Sequence, residues 1–230
     1  MVVENMKIAL IMNSNSYCGR EYSSKLTKAN IKFDLLVIKV KAEGNPVEEE
    51  RCGGLWTPPE IDELNDNATV HQFTSLKSEE FLSFLSEKSY DLGIQGGTGI
   101  LRQNVIDAFG LGILNFHPGD LPYYRGCSAP EWQLVEKKPV VSTCHLVDTG
   151  IDTGKIIDKQ ELSPGLSSYH DFRSSIYPQT ADFVVDIVSK YIEANGHFTE
   201  PQVQDESDAS YRKYIGDEKI EDIKLMFPLD

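Results

Sequence analysis

Several signals are missing from this 230-residue sequence. No apolar run approaches the ~18 residues a membrane-spanning helix needs, so no membrane association is expected. The stretch from Met1 to Lys7 has no basic region leading into an apolar core, so no secretory leader is expected. Cysteine is scarce: Cys18, Cys52, Cys127 and Cys144 are scattered with no C-x-x-C pair. Reduced thiols in a cytoplasmic protein are the expected state. The five histidines, at 71, 117, 145, 170 and 197, show no metal-ligand spacing, and no metal is expected. There is no internal repeat and no low-complexity tract. Basic charge is in deficit, with 22 Lys and Arg against 36 Asp and Glu, a net charge of −14. A chain that grips nucleic-acid phosphates displays the opposite balance, so no nucleic-acid partner is expected. The excess is local. Residues 43–66 hold eight acids and one Arg, and residues 200–230 hold nine acids and four bases, so the rest is nearly neutral.

What remains is ordinary globular usage, 40% apolar and 25% charged. The length suits one α/β domain with a core that needs no disulfide or metal. Short apolar runs predict strands at residues 7–12, 33–38, 69–73, 91–95, 111–116, 140–147 and 155–160. Helices are predicted at residues 18–29, from Ser78 onward, at 102–109 and at 129–136. Residues 167–194 carry apolar side chains at helical spacing, and Pro178 is expected to divide them into two helices. Gly196 reads as the stop. The acidic residues 41–67, broken by Gly53-Gly54 and Pro58-Pro59, read as a surface excursion. Residues 201–230 read as a short, weakly patterned acidic extension on a domain of residues 1–200. Strands alternating with helices predict an open, mostly parallel Rossmann-like α/β sheet with helices on both faces. In such sheets ligands bind at the carboxyl ends of strands.

Two strand ends then stand out, Gln95-Gly96-Gly97 and Asn115-Phe116-His117. If the strand continues through residue 117, Asn115 and His117 point to the same side. About thirty-five residues on, Asp148-Thr149-Gly150-Ile151-Asp152-Thr153-Gly154 is an acidic turn between two strands. An Asp there reaches a neighbouring strand end. An amide, an imidazole and a carboxylate suit acyl transfer to an amine. An amide N–H and an imidazolium stabilise the developing oxyanion, about 10²–10³ in rate per donor. A carboxylate sets the imidazole's protonation and relays the amine's proton.

The wording of these segments resembles one family. Asn-x-His, then Leu-Pro-x-Tyr-Arg-Gly at residues 121–126, then Asp-x-Gly-x-Asp-Thr-Gly at 148–154, is similar to the 10-formyltetrahydrofolate-dependent formyltransferases. The match is strongest over residues 90–160. The resemblance implies the formyltransferase fold and a catalytic trio falling on Asn115, His117 and Asp152. It implies N10-formyltetrahydrofolate as cosubstrate. The pterin would lie near the backbone of Ile94, Gln95, Gly96 and Gly97 and near the turn holding Asp148.

Other residues have plainer alternatives. Gly96-Gly97-Thr98-Gly99 lacks the Lys-Ser/Thr ending of a P-loop and the Gly-x-Gly-x-x-Gly spacing. Asp148 either binds pterin or shapes its turn. Tyr123 and Arg125 are the candidate substrate contacts, with anchoring of its own loop as the competing role of Arg125. Trp56 and Trp132 read as packing residues, and Cys127 and Cys144 as inert. Residues 211–214, Tyr-Arg-Lys-Tyr, either hold a nucleotide or pack on the domain.

The acceptor follows from the branches of the family. A tRNA formyltransferase carries a further C-terminal domain, and the acidic last thirty residues are not expected to supply it. Asn13-Ser14-Asn15-Ser16-Tyr17 and Pro118-Gly119-Asp120 depart from the glycinamide ribonucleotide type. The chain looks most like a nucleotide-sugar N-formyltransferase, acting on a nucleotide-linked amino sugar for surface polysaccharide such as lipopolysaccharide O-antigen. A homodimer is also consistent with this reading. Glycinamide ribonucleotide formyltransferase, a formyltetrahydrofolate hydrolase and a non-catalytic folate or nucleotide binder are the alternatives.

Overall fold

A computed structural model describes residues 6–42, 44–61, 67–197 and 200–228. Residues 1–5, read above for a leader, and residues 43 and 62–66 of the acidic excursion lie outside the described residues.

The strands are β1 (Ile8–Asn13), β2 (Phe33–Ile38), β3 (Ala68–Phe73), β4 (Leu92–Gln95), β5 (Ile113–His117), β6 (Arg125–Gly126), β7 (Val141–Leu146), β8 (Ile156–Glu161) and β9 (Tyr211–Arg212). The helices are α1 (Tyr17–Lys28), α2 (Pro46–Cys52), α3 (Glu79–Lys88), α4 (Gln103–Ile106), α5 (Ala129–Val135), α6 (Tyr169–Glu193) and α7 (Asp217–Lys224). Seven strands form one sheet in the order β3-β2-β1-β4-β5-β7-β8. The first five are mutually parallel, β7 runs antiparallel to β5, and β8 runs antiparallel to β7. The order reverses between β1 and β4, which places the crevice of a doubly wound sheet beside the ends of β1, β4 and β5.

Alternation along β1 explains the layers. Ile8, Leu10 and Met12 join the cluster beneath α1 and α6, with Phe116 and Cys144. Ala9 and Ile11 turn the other way, toward Phe81 and Leu85 of α3 and Val105 of α4. Both faces of the central strands are therefore covered, as their unbroken apolar runs require. Ser16 caps α1 by accepting from the Gly19 N–H, and Ser78 caps α3 from Phe81. Glu79 and Glu80 occupy the first turn of α3, where negative charge suits the helix dipole.

Three expectations are corrected. Pro178 does not divide the helix: α6 runs 25 residues straight through it. An interior proline costs about 3 kcal/mol. Here Phe172 and Ile176 are buried on one side of it, and Phe183, Val184, Ile187 and Val188 on the other. Each such side chain contributes about 1.5–3 kcal/mol, so burial outweighs the lost hydrogen bond. The acidic excursion is not surface alone. Asn45 caps α2 and Pro46 starts it, and its last two residues, Arg51 and Cys52, are buried. The final segment is patterned after all. Ile220 and Ile223 of α7, with Ile215 and Phe227, form a third cluster with Tyr169, Phe172 and Ile176. Among the described residues no helix is long and apolar enough to cross a membrane.

Candidate active site

Register across the sheet places the polar groups. Ile11, Gln95, Asn115 and His145 are successive partners across β1, β4, β5 and β7, so their side chains share one face. His117 lies two residues beyond Asn115 on that face, opposite Thr143.

Asn115 and His145 touch. The His145 Nδ1–H donates to the Leu146 carbonyl at 2.8 Å, so Nε2 accepts from Asn115 Nδ2 at 3.0 Å. That leaves the second amide proton of Asn115 free for another acceptor. His117 is 6% exposed, and its Nε2 lies 2.6 Å from the Tyr124 carbonyl. A carbonyl only accepts, so Nε2 carries the proton and Nδ1 faces Asp152 Oδ2 at 3.6 Å. Asp152 Oδ1 stands 3.6 Å from His145 Nε2. The Gly126 N–H donates to Asp152 Oδ2 at 2.8 Å. One carboxylate thus stands between two imidazoles and accepts from a backbone donor.

The charges follow. Burial pushes the His117 pKa down, against the pull of Asp152. The resting ring is therefore neutral at neutral pH, not the imidazolium expected from the motif alone. Burial alone would raise the Asp152 pKa, but the His145 and His117 rings in their protonated forms, with the Gly126 N–H, hold it at about 2. Asp152 also holds φ +55°, left-handed for a residue with a Cβ. Such a conformation costs of order 1–3 kcal/mol and persists where its surroundings enforce it.

The 117–121 loop is fixed by buried polar groups. Gln133 accepts from the Asp120 and Val141 N–H groups and donates to the carbonyls of Pro118 and Ala129. The Thr143 hydroxyl donates to the Gly119 carbonyl at 2.7 Å.

A cavity of about 240 Å³ opens between α1, α2 and α6 and is bordered by His117, Pro118 and Gly126. Arg51, Arg173 and Glu48 line it. Arg173 Nη2 donates to Glu48 at 2.8 Å and its Nε lies 3.4 Å from the buried Glu131. Arg51 reaches Glu131 only at 3.7 Å. Two guanidiniums and two carboxylates make its charge balanced. Trp56 stacks on Tyr177, centroids 4.7 Å apart, beside this cavity.

The remaining candidates lie as follows. Gly96 and Gly97 follow β4 and press against the start of α1: a Cβ on Gly96 would meet the Gly19 Cα at 2.9 Å, and one on Gly97 would strike Ser16 Oγ. Ile94 is fully buried in the core, within a strand paired on both sides. Asp148 Oδ1 accepts from the Gly150 N–H at 3.0 Å and from the Thr153 hydroxyl, the bonds of a residue shaping its own turn. Tyr123 is exposed, and its hydroxyl donates to Asp208, away from His117. Arg125 is 1% exposed; its guanidinium is taken up by Gln204 and Glu206. Those contacts favour anchoring over substrate contact. Of the 211–214 island, Arg212 packs on the domain, lying over the rings of Tyr124 and Trp132 and pairing with Glu136 at 2.9 Å, while Tyr211 and Tyr214 are exposed. Cys144 is buried, which drives its thiol pKa far up. Sequence reasoning missed His145 as a site residue. Its place on an outer strand was visible, but the register that sets it against Asn115 was not.

The fold is a doubly wound α/β sheet that brings Asn115 and His117 of β5 near Asp152 of the turn after β7. Residues 6–164 match the formyl transferase family, and the chain belongs to it. It is 32% identical over 126 residues to the methionyl-tRNA formyltransferase of Rickettsia bellii (strain RML369-C), covering 53% of this chain and 39% of that one. It is 31% identical over 159 residues to that of Clostridium novyi (strain NT), covering 66% and 50%. The matched region thus spans half or less of these relatives. Among solved structures, a sugar N-formyltransferase from Shewanella sp FDAARGOS_354 superposes with TM-score 0.60 at 19% identity, covering 98% of this chain and 81% of that chain. An N-formyltransferase from Helicobacter canadensis, in complex with folinic acid and dTDP-3-aminofucose, superposes with TM-score 0.61 at 17% identity, covering 90% and 70%. At these identities the likeness establishes the fold.

Proposed function

We propose that the protein moves a formyl group from N10-formyltetrahydrofolate to the amine of a nucleotide-linked amino sugar. The observation that carries this reading is the Asp152 carboxylate held between His117 and His145, beside the amide of Asn115. The donor set fits a formyl-folate. An amide N–H is left over on Asn115, and the neutral His117 ring has an unprotonated nitrogen. When bound, the formyl-folate supplies an electrophilic carbonyl carbon. The second N–H of Asn115 steadies the oxyanion that develops there. The proton shed by the attacking amine would go to His117 Nδ1, which is unprotonated at rest, with Asp152 steadying the imidazolium, and the imidazolium would return that proton to N10 of the folate as the bond from N10 to the formyl carbon breaks. His145 holds the Asn115 amide in its working orientation. No covalent nucleophile is needed.

The acceptor class rests on the cavity beside His117. Guanidiniums supply donors and carboxylates supply acceptors, a set that complements a hydroxyl-bearing ring better than a bare phosphate. The net charge of −14 opposes a phosphate-rich macromolecule. The Helicobacter canadensis neighbour was solved with an amino-sugar nucleotide. A second reading, formylation of methionyl-tRNA, is favoured by the sequence relatives. One experiment separates them. The protein is incubated with formyl-folate alone, then with amino-sugar nucleotides, glycinamide ribonucleotide or charged tRNA, and folate product is followed by absorbance. Turnover that requires an amino-sugar nucleotide is expected. Turnover only with tRNA or glycinamide ribonucleotide overturns the acceptor, and formate release at the same rate without any acceptor overturns the transfer.

A further inference from the structure

Asp152 is held in an unfavourable backbone conformation, and the turn that carries it is short. Something outside the turn must enforce its position. The groups that do so come from the segment after α6.

Residues 200–215 run back across the site as a strap. Gln202 and Ile156 exchange backbone hydrogen bonds at 2.8 Å each, which seats the strap on the start of β8. Two residues on, Gln204 is 6% exposed. Its Nε2 donates to the carbonyls of Asp152 at 2.9 Å and Gly154 at 2.7 Å. Its Oε1 accepts from Arg125 Nε at 3.1 Å and Nη2 at 2.8 Å. Its side-chain bonds join two segments that also meet at the carboxylate. The strap then pairs with the other segment directly. The Arg125 N–H donates to the Ser210 carbonyl, and the Cys127 N–H to the Arg212 carbonyl, where β9 lies beside β6. Gly126, between them, has φ +96°, and a Cβ there would strike the Arg212 carbonyl. The Gly126 N–H is the donor that holds Asp152 Oδ2.

We infer that Gln204 is a positioning residue for the Asp152–His117 pair: its side-chain amide fixes the Asp152 backbone from one side and, through Arg125, the Gly126 donor from the other. The inference rests on the formyl-transfer reading for its kinetic consequence but not for its geometry. It also gives Arg125 a task, since the guanidinium couples the strap to the loop that carries Gly126. An amide is the group suited to this place. A carboxylate offers nothing to two carbonyls, and an amine offers nothing to a guanidinium.

The test uses Gln204→Met and Gln204→Glu, with the exposed neighbour Val203→Ala as control. Gln204→Met removes both sets of bonds. Gln204→Glu keeps an acceptor for Arg125 and loses the donors to Asp152 and Gly154, so it breaks one set of bonds where the methionine variant breaks both. Two readouts are taken. The first is the histidine ring titration by NMR in the absence of substrate, with His117 and His145 assigned by substitution. Asp152, together with the Tyr124 carbonyl, favours the charged form of His117, and His145 opposes it. A displaced carboxylate therefore lowers the His117 titration point in Gln204→Met, and Val203→Ala leaves it unchanged. The second is formyl-transfer kinetics. A misplacement of about 1 Å at a reacting group costs on the order of 10²-fold, so kcat is expected to fall roughly 10- to 100-fold in both variants. KM for the folate is expected to stay within about threefold. Folded variants with an unshifted His117 titration and kcat within twofold of the parent overturn the positioning role. A variant that loses activity only in proportion to its folded fraction, with an unchanged pH profile, overturns it too. If the parent protein transfers no formyl group, the kinetic arm is moot, yet the NMR arm still decides the geometry.

Discussion

Replacing Asp152 by Asn removes the charge of the candidate trio and little else. The carbonyl oxygen of the introduced amide still accepts the Gly126 N–H, so the turn keeps its anchor. What changes is the field at His117. The carboxylate lies 3.6 Å from Nδ1, and both side chains are largely buried. With an effective dielectric of about 20, a full charge pair at that distance is worth about 4.6 kcal/mol. Shifts measured for one opposite charge at such range are about 1–3 pKa units, at about 1.4 kcal/mol each. The imidazolium formed during transfer therefore loses roughly 1.4–4 kcal/mol of support. That predicts a fall in kcat of about 10- to 10³-fold, with about 10² the central expectation. Single-turnover formyl transfer reads the chemical step, and NMR titration of His117 reads the lost charge as a further drop in its pKa.

The same substitution changes acid stability with a defined sign. Asp152 titrates at about 2 in the folded protein, below an unfolded carboxyl near 3.9. Its contribution is fully present above the unfolded value and is lost as the pH falls toward 2. That contribution is about 2.6 kcal/mol at neutral pH. Urea midpoints of Asp152→Asn should therefore be lower at pH 7 and flatter between pH 4 and pH 2. An Asn variant within threefold of the parent kcat, with His117 titrating unchanged, refutes the electrostatic role assigned to Asp152.

Three further outcomes are expected. His145→Phe frees the Asn115 amide from its partner, so kcat and kcat/KM should fall together by about tenfold, and His145→Gln, which keeps an acceptor, should recover part of the loss. Arg125→Met should lower stability by about 1–3 kcal/mol through bonds lost to Gln204, with Glu206 rehydrated at the surface. An acceptor KM raised more than tenfold at unchanged Tm would restore the substrate-contact role. Ile223→Ala, in the last helix, should cost about 2–5 kcal/mol in urea unfolding if that helix belongs to the core, and almost nothing if it is an appendage.

Much of this architecture is legible in the residues, and the gaps have physical causes. The central strand β1 reads directly because both its faces are buried, so its apolar run is unbroken. Asn115 and His117 read as a pair because strand alternation is local. Pro178 misleads because its cost is local, while the burial of α6 on both sides of it is tertiary. The start of α2 was readable from Asn45, Pro46, Glu48 and Glu49, a cap followed by proline and first-turn acids, but the net acidity of the segment masked it. His145 and Gln204 are another matter. Each depends on which residue lies opposite across an antiparallel register or a returning strap, and no short-range pattern encodes that.

The position of the site follows from where the helical cover stops. Ile113 of β5 is roofed by Val105 of the four-residue α4 and by Phe109. Asn115 and His117 continue the same face, and α4 is too short to reach them. On the opposite face Leu114 and Phe116 stay covered by α6, with Phe183 packed on Phe116. A strand face that no helix covers has room for polar side chains, and β5 supplies Asn115 and His117, the latter buried by the loops that return over it. The antiparallel turn-back after β5 then sets His145 directly beside Asn115, where a right-handed parallel crossover would have placed another helix. The 148–154 turn curls over the gap and brings in Asp152. Its backbone has no helix to lean on, so the last segment of the chain must hold it. That is why the sequence of the strap at residues 202–212 belongs to the site, although it touches neither imidazole.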